Sequence, residues 1–372
     1  MKENKYRLYF IDAMRAWAIL MMLQGHFIDG LLDFEYRDRA IPAYAIWSYF
    51  RGMTAPVFFT VSGFIFTYLL IRGDKKGLKN PRVKKGIKRG LQLLLIGYLL
   101  RMNLFSILFG EVFDSFFYVD VLHCIGFSIL GLIGLYLLTS TTKPVVFSSI
   151  LVTITIILFI FEPTYEKLTH DYIPAALANY LTKANGSVFT IIPWFGYATF
   201  GAFMAILFTK YKAYKKLYTT AILICSVVGL FLIFGSSPLF ALICDVTGSN
   251  FLEPVYTNNY LFIRLGDVLL IFSIFMILRS YINNKVILKI GQNTLAIYVI
   301  HFIILYGSFT GLGFYHFFKY SLSPIQVIIG AILFMVASTY LALLYDKHEL
   351  KIKSKIEKFK SATLKLFRLA KN

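Results

Sequence analysis

Arg15 and His26 stand eleven residues apart in the first apolar segment of the chain, IDAMRAWAILMMLQGHFIDGLL. Eleven steps of about 100° come within about 20° of three full turns, so on a helix both side chains share one stripe, ~16 Å apart along the axis. Ionisable groups inside an apolar helix are costly in hydrocarbon and normally face a protein-lined cavity, so the pair marks a polar path along one face of this helix. An imidazole in such a place can exchange a proton near neutral pH, and a guanidinium can hold a phosphate. Taken singly, each residue has a packing alternative: a snorkelling arginine, and a histidine bonded to a neighbouring helix.

The elements that must position this pair are membrane helices. The chain is 58% hydrophobic and 15% charged, with a mean hydropathy of +0.68, a balance that suits lipid as solvent and is foreign to soluble domains. Apolar runs near the ~20 residues that a bilayer requires fall at 10–32, 50–71, 87–109, 117–139, 144–161, 188–209, 217–236, 258–278, 287–308 and 324–345. The expected fold is all-α, a polytopic integral membrane bundle of about ten helices over residues 1–345. Residues 346–372 form a basic tail, in which Ile352, Ile356, Phe359, Thr363 and Leu366 recur at helical spacing, as in an amphipathic helix lying on anionic lipid. The first segment is long and carries internal charge, so it reads as a retained helix rather than a cleaved signal. Cys124, Cys225 and Cys244 show no metal-type spacing and read as plain thiols; no metal is expected.

Charge orients the bundle. Arg72, Lys75, Lys76, Lys79, Arg82, Lys84, Lys85, Lys88 and Arg89 crowd the second loop, Lys210, Lys212, Lys215 and Lys216 the sixth, and Arg279, Lys285 and Lys289 the eighth. The alternate loops carry acids, among them Glu111, Asp114, Glu162, Glu166, Asp171, Asp245 and Glu253. By the positive-inside rule both termini are cytoplasmic and the protein is a multi-pass cell-membrane protein. The net charge of +19 is then a topology signal, and nucleic acid is not an expected partner because the basic residues are dispersed over short loops. With these directions His26, His123 and His301 each lie about six residues, or ~9 Å, below the outer surface. Arg101, Arg264 and Asp267 lie at similar depth, and this layer of titratable groups, drawn from five helices, can pair and hydrate where each group alone would be costly.

Three segments resemble a known family. Arg15, ten intervening residues and His26 are similar to the R-X10-H signature of the transmembrane acyltransferase superfamily, best known from acyltransferase family 3. Ala55-Pro56-Val57-Phe58-Phe59-Thr60-Val61-Ser62-Gly63-Phe64 resembles its aromatic-rich FF-x-x-SGF stretch, and Gly291 to Phe302 is similar to its late S/T-L-x-x-Y-x-x-H helix. The start IDAMRAWAILMM, the run Lys88–Gly97 and the segment Val121–Gly126 look closer to the heparan-α-glucosaminide N-acetyltransferase branch. No RR-x-x-R-I-x-P run follows the second helix, a departure from the family 3 pattern.

The resemblance implies acyl transfer from cytoplasmic acyl-CoA, with acetyl-CoA the expected donor, to a hydroxyl or amine of an extracytoplasmic carbohydrate. In that chemistry His26 is the expected general base, with Asp29 one turn on to polarise its ring and His301 to orient the acceptor or assist proton transfer. Arg15 would hold a phosphate or a polar pantetheine group of the donor, with Ser62, Lys88 and Arg89 also assigned to the donor. His123, Arg101, Arg264 and Asp267 are the expected acceptor-side residues. Trp47 and Trp194 near helix ends suit either interface anchoring or contact with sugar faces. The alternative is a proton-coupled secondary transporter that uses the intramembrane His, Arg and Asp groups as a relay.

Overall fold

The computed structural model of the chain describes residues 8–170 and 172–369, excluding the side chains of 350–353 and 355–369. Asp171 and the apolar face expected for the tail therefore lie outside the described residues. The principal helices are α1 (Tyr9–Leu31), α2 (Pro42–Leu70), α3 (Pro81–Arg101), α4 (Val121–Leu138), α5 (Pro144–Ile160), α6 (Ile191–Lys210), α7 (Leu217–Phe234), α8 (Tyr260–Ile277), α9 (Lys285–Gln292), α10 (Thr294–Tyr306) and α11 (Pro324–Leu369). Among the described residues there is no strand, only isolated bridges between Leu32 and Leu322 and between Asn103 and Phe309. Each apolar run of the sequence contains helix. Among the described residues, six helices are long and apolar enough to cross a bilayer, or seven if the bent pair of α9 and α10 is one span.

Helix starts follow local chemistry. Proline opens α2, α3, α5 and α11, where its missing N–H costs nothing and its fixed φ suits a first turn. Asn80, Asp120 and Asn284 cap α3, α4 and α9 by accepting from Arg82, Leu122 and Val286 N–H.

Three boundaries depart from the sequence reading. The second helix begins at Pro42 instead of near 50, which draws Tyr49 into it and puts Arg51 well inside rather than at its start. The third runs 81–101, not 87–109, because Met102 and Asn103 are extended and Leu104–Leu108 is a separate short helix capped by Asn103. The ninth breaks at Asn293, and its halves meet at 72°. Gly291, just before the break, lies so close to the Asp12 backbone that any Cβ would collide with the Asp12 carbonyl.

α1 occupies the centre. It packs on α2, α8, α9, α10 and α11, so most of its surface faces other helices. α2 crosses α6 at a seam of small residues, with Gly63 against the Ala198 backbone and Gly201 against the Thr60 carbonyl. Without side chains between them the two backbones touch, the usual way membrane helices gain dispersion contact. α7 packs chiefly on α8 and leaves most of its surface apolar and exposed. α11 passes residue 345 without interruption.

Candidate active site

A cavity of about 870 Å³ opens into the end of the bundle that holds the C-terminus of α1, within the ~300–1,000 Å³ usual for small-molecule sites. Its walls run from Met21 and Phe58 to the connecting segments 102–118 and 306–315. The antiparallel course of the helices gathers the C-terminal ends of α1, α3 and α10 and the N-terminal ends of α2, α4 and α6 around it. One stripe of α1 therefore supplies Gly25, His26 and Asp29.

His26 is at the heart of the wall. Its Nδ1 lies 3.0 Å from Nε2 of His301 on α10, and His301 is fully buried. One ring must donate and the other accept, so the contact fixes the orientation of both and leaves Nε2 of His26 for a ligand. Asp29, one turn further along, pairs with Arg51 of α2. Opposite, Arg101 at the end of α3 pairs with Asp120, the cap of α4, at 3.3 Å. Each carboxylate holds an arginine at the cavity surface, and the two charges balance within each pair. Thr54 Oγ1, Trp194 Nε1 and Ser308 Oγ also belong to wall residues and have no hydrogen-bond partner in the protein.

The other residues expected to act stand elsewhere. His123 is wholly buried one layer behind the wall, where its Nδ1 meets Asp120 at 3.1 Å and its ring fills the space left by Gly97. Arg264 and Asp267 of α8 bond each other at 2.9 Å. Tyr49 donates to Asp267 at 2.9 Å, and Gly52 leaves room for the Arg264 guanidinium behind the wall. Arg15 donates to Thr294 at 2.9 Å where α10 begins, and is not on the cavity wall. Ser62 borders a void too small for water among α2, α4 and α6, while Lys88 and Arg89 are exposed on α3.

The structure thus brings together His26, His301, Asp29 and Arg101, sets His123, Arg264 and Asp267 just behind them, and leaves Arg15, Ser62, Lys88 and Arg89 apart. Sequence reasoning misses Arg51 and Asp120. Arg51 escapes it because the second apolar run starts beside this residue, although the helix starts well before it. Asp120 stands three residues before His123, the spacing at which a helix cap meets the first turn, and that signal is present in the sequence.

Among known proteins, a family model described as heparan-alpha-glucosaminide N-acetyltransferase, catalytic, matches residues 7–243. The matched stretch carries Arg15, His26, Asp29, Arg51, Arg101 and Asp120, while His301 lies beyond it. No curated protein matches the chain. Since the matched stretch is well over half of the sequence and contains most of the charged cavity wall, this membrane protein belongs to the heparan-alpha-glucosaminide N-acetyltransferase catalytic family.

Proposed function

We propose that the protein transfers an acyl group, acetyl in the simplest case, from cytoplasmic acyl-CoA to a hydroxyl or amine of a carbohydrate on the far side of the cell membrane. The observation that carries this reading is the His26–His301 contact at 3.0 Å on the wall of a large cavity, in a chain of an N-acetyltransferase family. With His301 accepting at Nε2, His26 holds its proton on Nδ1 and has a bare Nε2. The acceptor O–H or N–H gives its proton to that nitrogen as its heteroatom attacks the thioester carbonyl. The carbon–sulfur bond then breaks, and the thiolate leaves with the proton that His26 returns. Arg51 and Arg101, held by Asp29 and Asp120, are placed to attract the developing oxyanion or the acceptor's polar groups.

Ten crossing segments with cytoplasmic termini complete the reading. The basic loops then face the donor, where Lys88, Arg89 and Arg15 meet its phosphates. The cavity ends at Met21 and Phe58, one to two turns short of Arg15, so donor entry from that side requires α1 and α10 to part between the two. One feature favours the transporter alternative, namely the broken span of α9 and α10 with Arg15 at the break. Purified protein in lipid vesicles separates the two. The enzyme reading expects release of free coenzyme A that depends on a sugar acceptor, with no proton flux; acceptor-coupled flux with intact acetyl-CoA would overturn it.

A further inference from the structure

The segment that walls the cavity between α3 and α4 has a second face. Asn103 accepts from the Phe105 and Ser106 N–H groups and so caps the short helix Leu104–Leu108. Leu104 N–H donates to the Phe309 carbonyl and Phe309 N–H to the Met102 carbonyl, each at 2.9 Å, which pins the segment to the turn after α10. Asn103, Ser106 and Glu111 look onto the cavity together with Ile107, Val112 and Phe113. Leu108 and Phe109 are not on that wall and are 80% and 83% exposed, with Leu104 and Phe105 beside them about half exposed.

A cluster of large apolar side chains on this scale does not belong in water. On a membrane protein its natural level is the boundary between headgroups and acyl chains. The cavity is polar at His26, Asp29, Arg51, Arg101 and Asp120, while Ile107, Val112 and Phe113 both line it and are about half exposed, so this wall leads outward beside Leu108 and Phe109. A water-soluble acceptor gains nothing from such an apolar wall. An acceptor with a hydrocarbon chain is delivered by it, because the chain stays in the leaflet while the headgroup enters the cavity.

Building on the acyl-acceptor reading of the cavity, we propose that the acceptor is an amphiphile: a sugar-type headgroup bearing a hydroxyl or amine, joined to a hydrocarbon chain that lies along Leu104, Leu108 and Phe109. The chain is then part of what is recognised, and free sugars bind weakly.

The test measures binding apart from chemistry. In full-length protein carrying Trp17→Phe and Trp47→Phe, Trp194 on the cavity wall is the remaining tryptophan of three, and its fluorescence reports occupancy in lipid nanodiscs. The probes are methyl and octyl 2-amino-2-deoxy-β-D-glucopyranoside, with concentrations corrected for partition into empty nanodiscs. The octyl form should bind at least tenfold more tightly than the methyl form, and Leu108→Ser with Phe109→Ser should shrink that ratio below threefold while leaving methyl-form affinity unchanged. Both sites are exposed, so the core is untouched, and Leu108→Gln alone should show the same trend. Equal affinities, no binding of either probe, or an undiminished ratio in the variants would overturn the proposal; the last would mean that the segment merely sits in lipid. Acetyl transfer is followed in parallel. If the ratio behaves as described but no acetyl group moves, the enzyme reading fails and the amphiphile site stands.

Discussion

At the residue scale, the site turns on which nitrogen of His26 is free. Nδ1 is engaged by His301, so any proton taken from an acceptor goes to Nε2. His26→Ala should therefore lower acyl transfer by roughly two to four decades while acyl-CoA affinity, measured by isothermal titration, stays near wild type; unimpaired turnover would remove His26 from the mechanism. His301 does not line the cavity; in the proposed mechanism it acts through His26 as a positioning residue. Loss of its hydrogen bond costs about 1 kcal/mol or somewhat more, hence about tenfold in kcat with KM nearly constant in His301→Phe. In His301→Gln the amide oxygen can accept from Nδ1–H and should restore most of the rate. Equal defects in both variants would make the role one of packing. The two histidines are legible in the sequence because periodicity fixes depth along a helix, and depth alone puts His26 and His301 at one level. His123 shares that level yet stands behind the wall, since depth says nothing about the direction a side chain takes around its axis. Arg51 illustrates the converse, a charge at the edge of an apolar run that reads as a helix end although the helix starts earlier.

At the scale of elements, the cavity keeps its shape because α2 is locked to α6. Gly201 abuts the Thr60 carbonyl, and a Cβ there would collide with backbone, which cannot swing aside as a side chain can. Gly201→Ala should destabilise the protein by about 1–3 kcal/mol, the usual cost of overpacking. Gly134 supplies an internal control, being inside α4 with nothing within 4 Å of where an alanine Cβ would stand. There the gain in helix propensity should dominate, so Gly134→Ala should stabilise by up to ~1 kcal/mol. Thermal unfolding in detergent reads both, and a Gly201→Ala protein as stable as wild type would mean that the helix seam is slack. This seam is only half legible in the sequence. Gly63 and Gly201 are visible in the sequence as small residues, but which helix each meets is decided by tertiary contacts between segments more than a hundred residues apart. The break at Asn293 is partly legible: Gly291-Gln292-Asn293-Thr294 interrupts the apolar run with polar residues, but the approach of the Asp12 backbone to Gly291 is a tertiary contact that the sequence does not announce.

At the scale of the whole molecule, the mechanism depends on which side of the membrane the cavity faces. The basic loops after α2, α6 and α8 lie at helix ends opposite to the cavity, whose walls include the C-terminal part of α1 and the N-terminal parts of α2, α4 and α6. With the basic loops on the cytoplasmic side, as proposed, His26 lies on the far side from the cytoplasm. Single cysteines test this. Cys124, Cys225 and Cys244 are buried and would first be changed to alanine so that the introduced thiols alone report. In intact cells an impermeant thiol reagent should then label Glu35→Cys and Glu111→Cys and spare Lys75→Cys and Lys212→Cys, which should react only after the membrane is opened. Protection of Glu111→Cys would be the more damaging result, because Glu111 lies on the cavity wall and in the segment proposed to meet the acceptor's hydrocarbon chain. If Lys75→Cys were labelled from outside, α1 would be inverted and the cavity would open to the cytoplasm. Donor and acceptor would then meet on one face, and no acyl group would need to cross the bilayer.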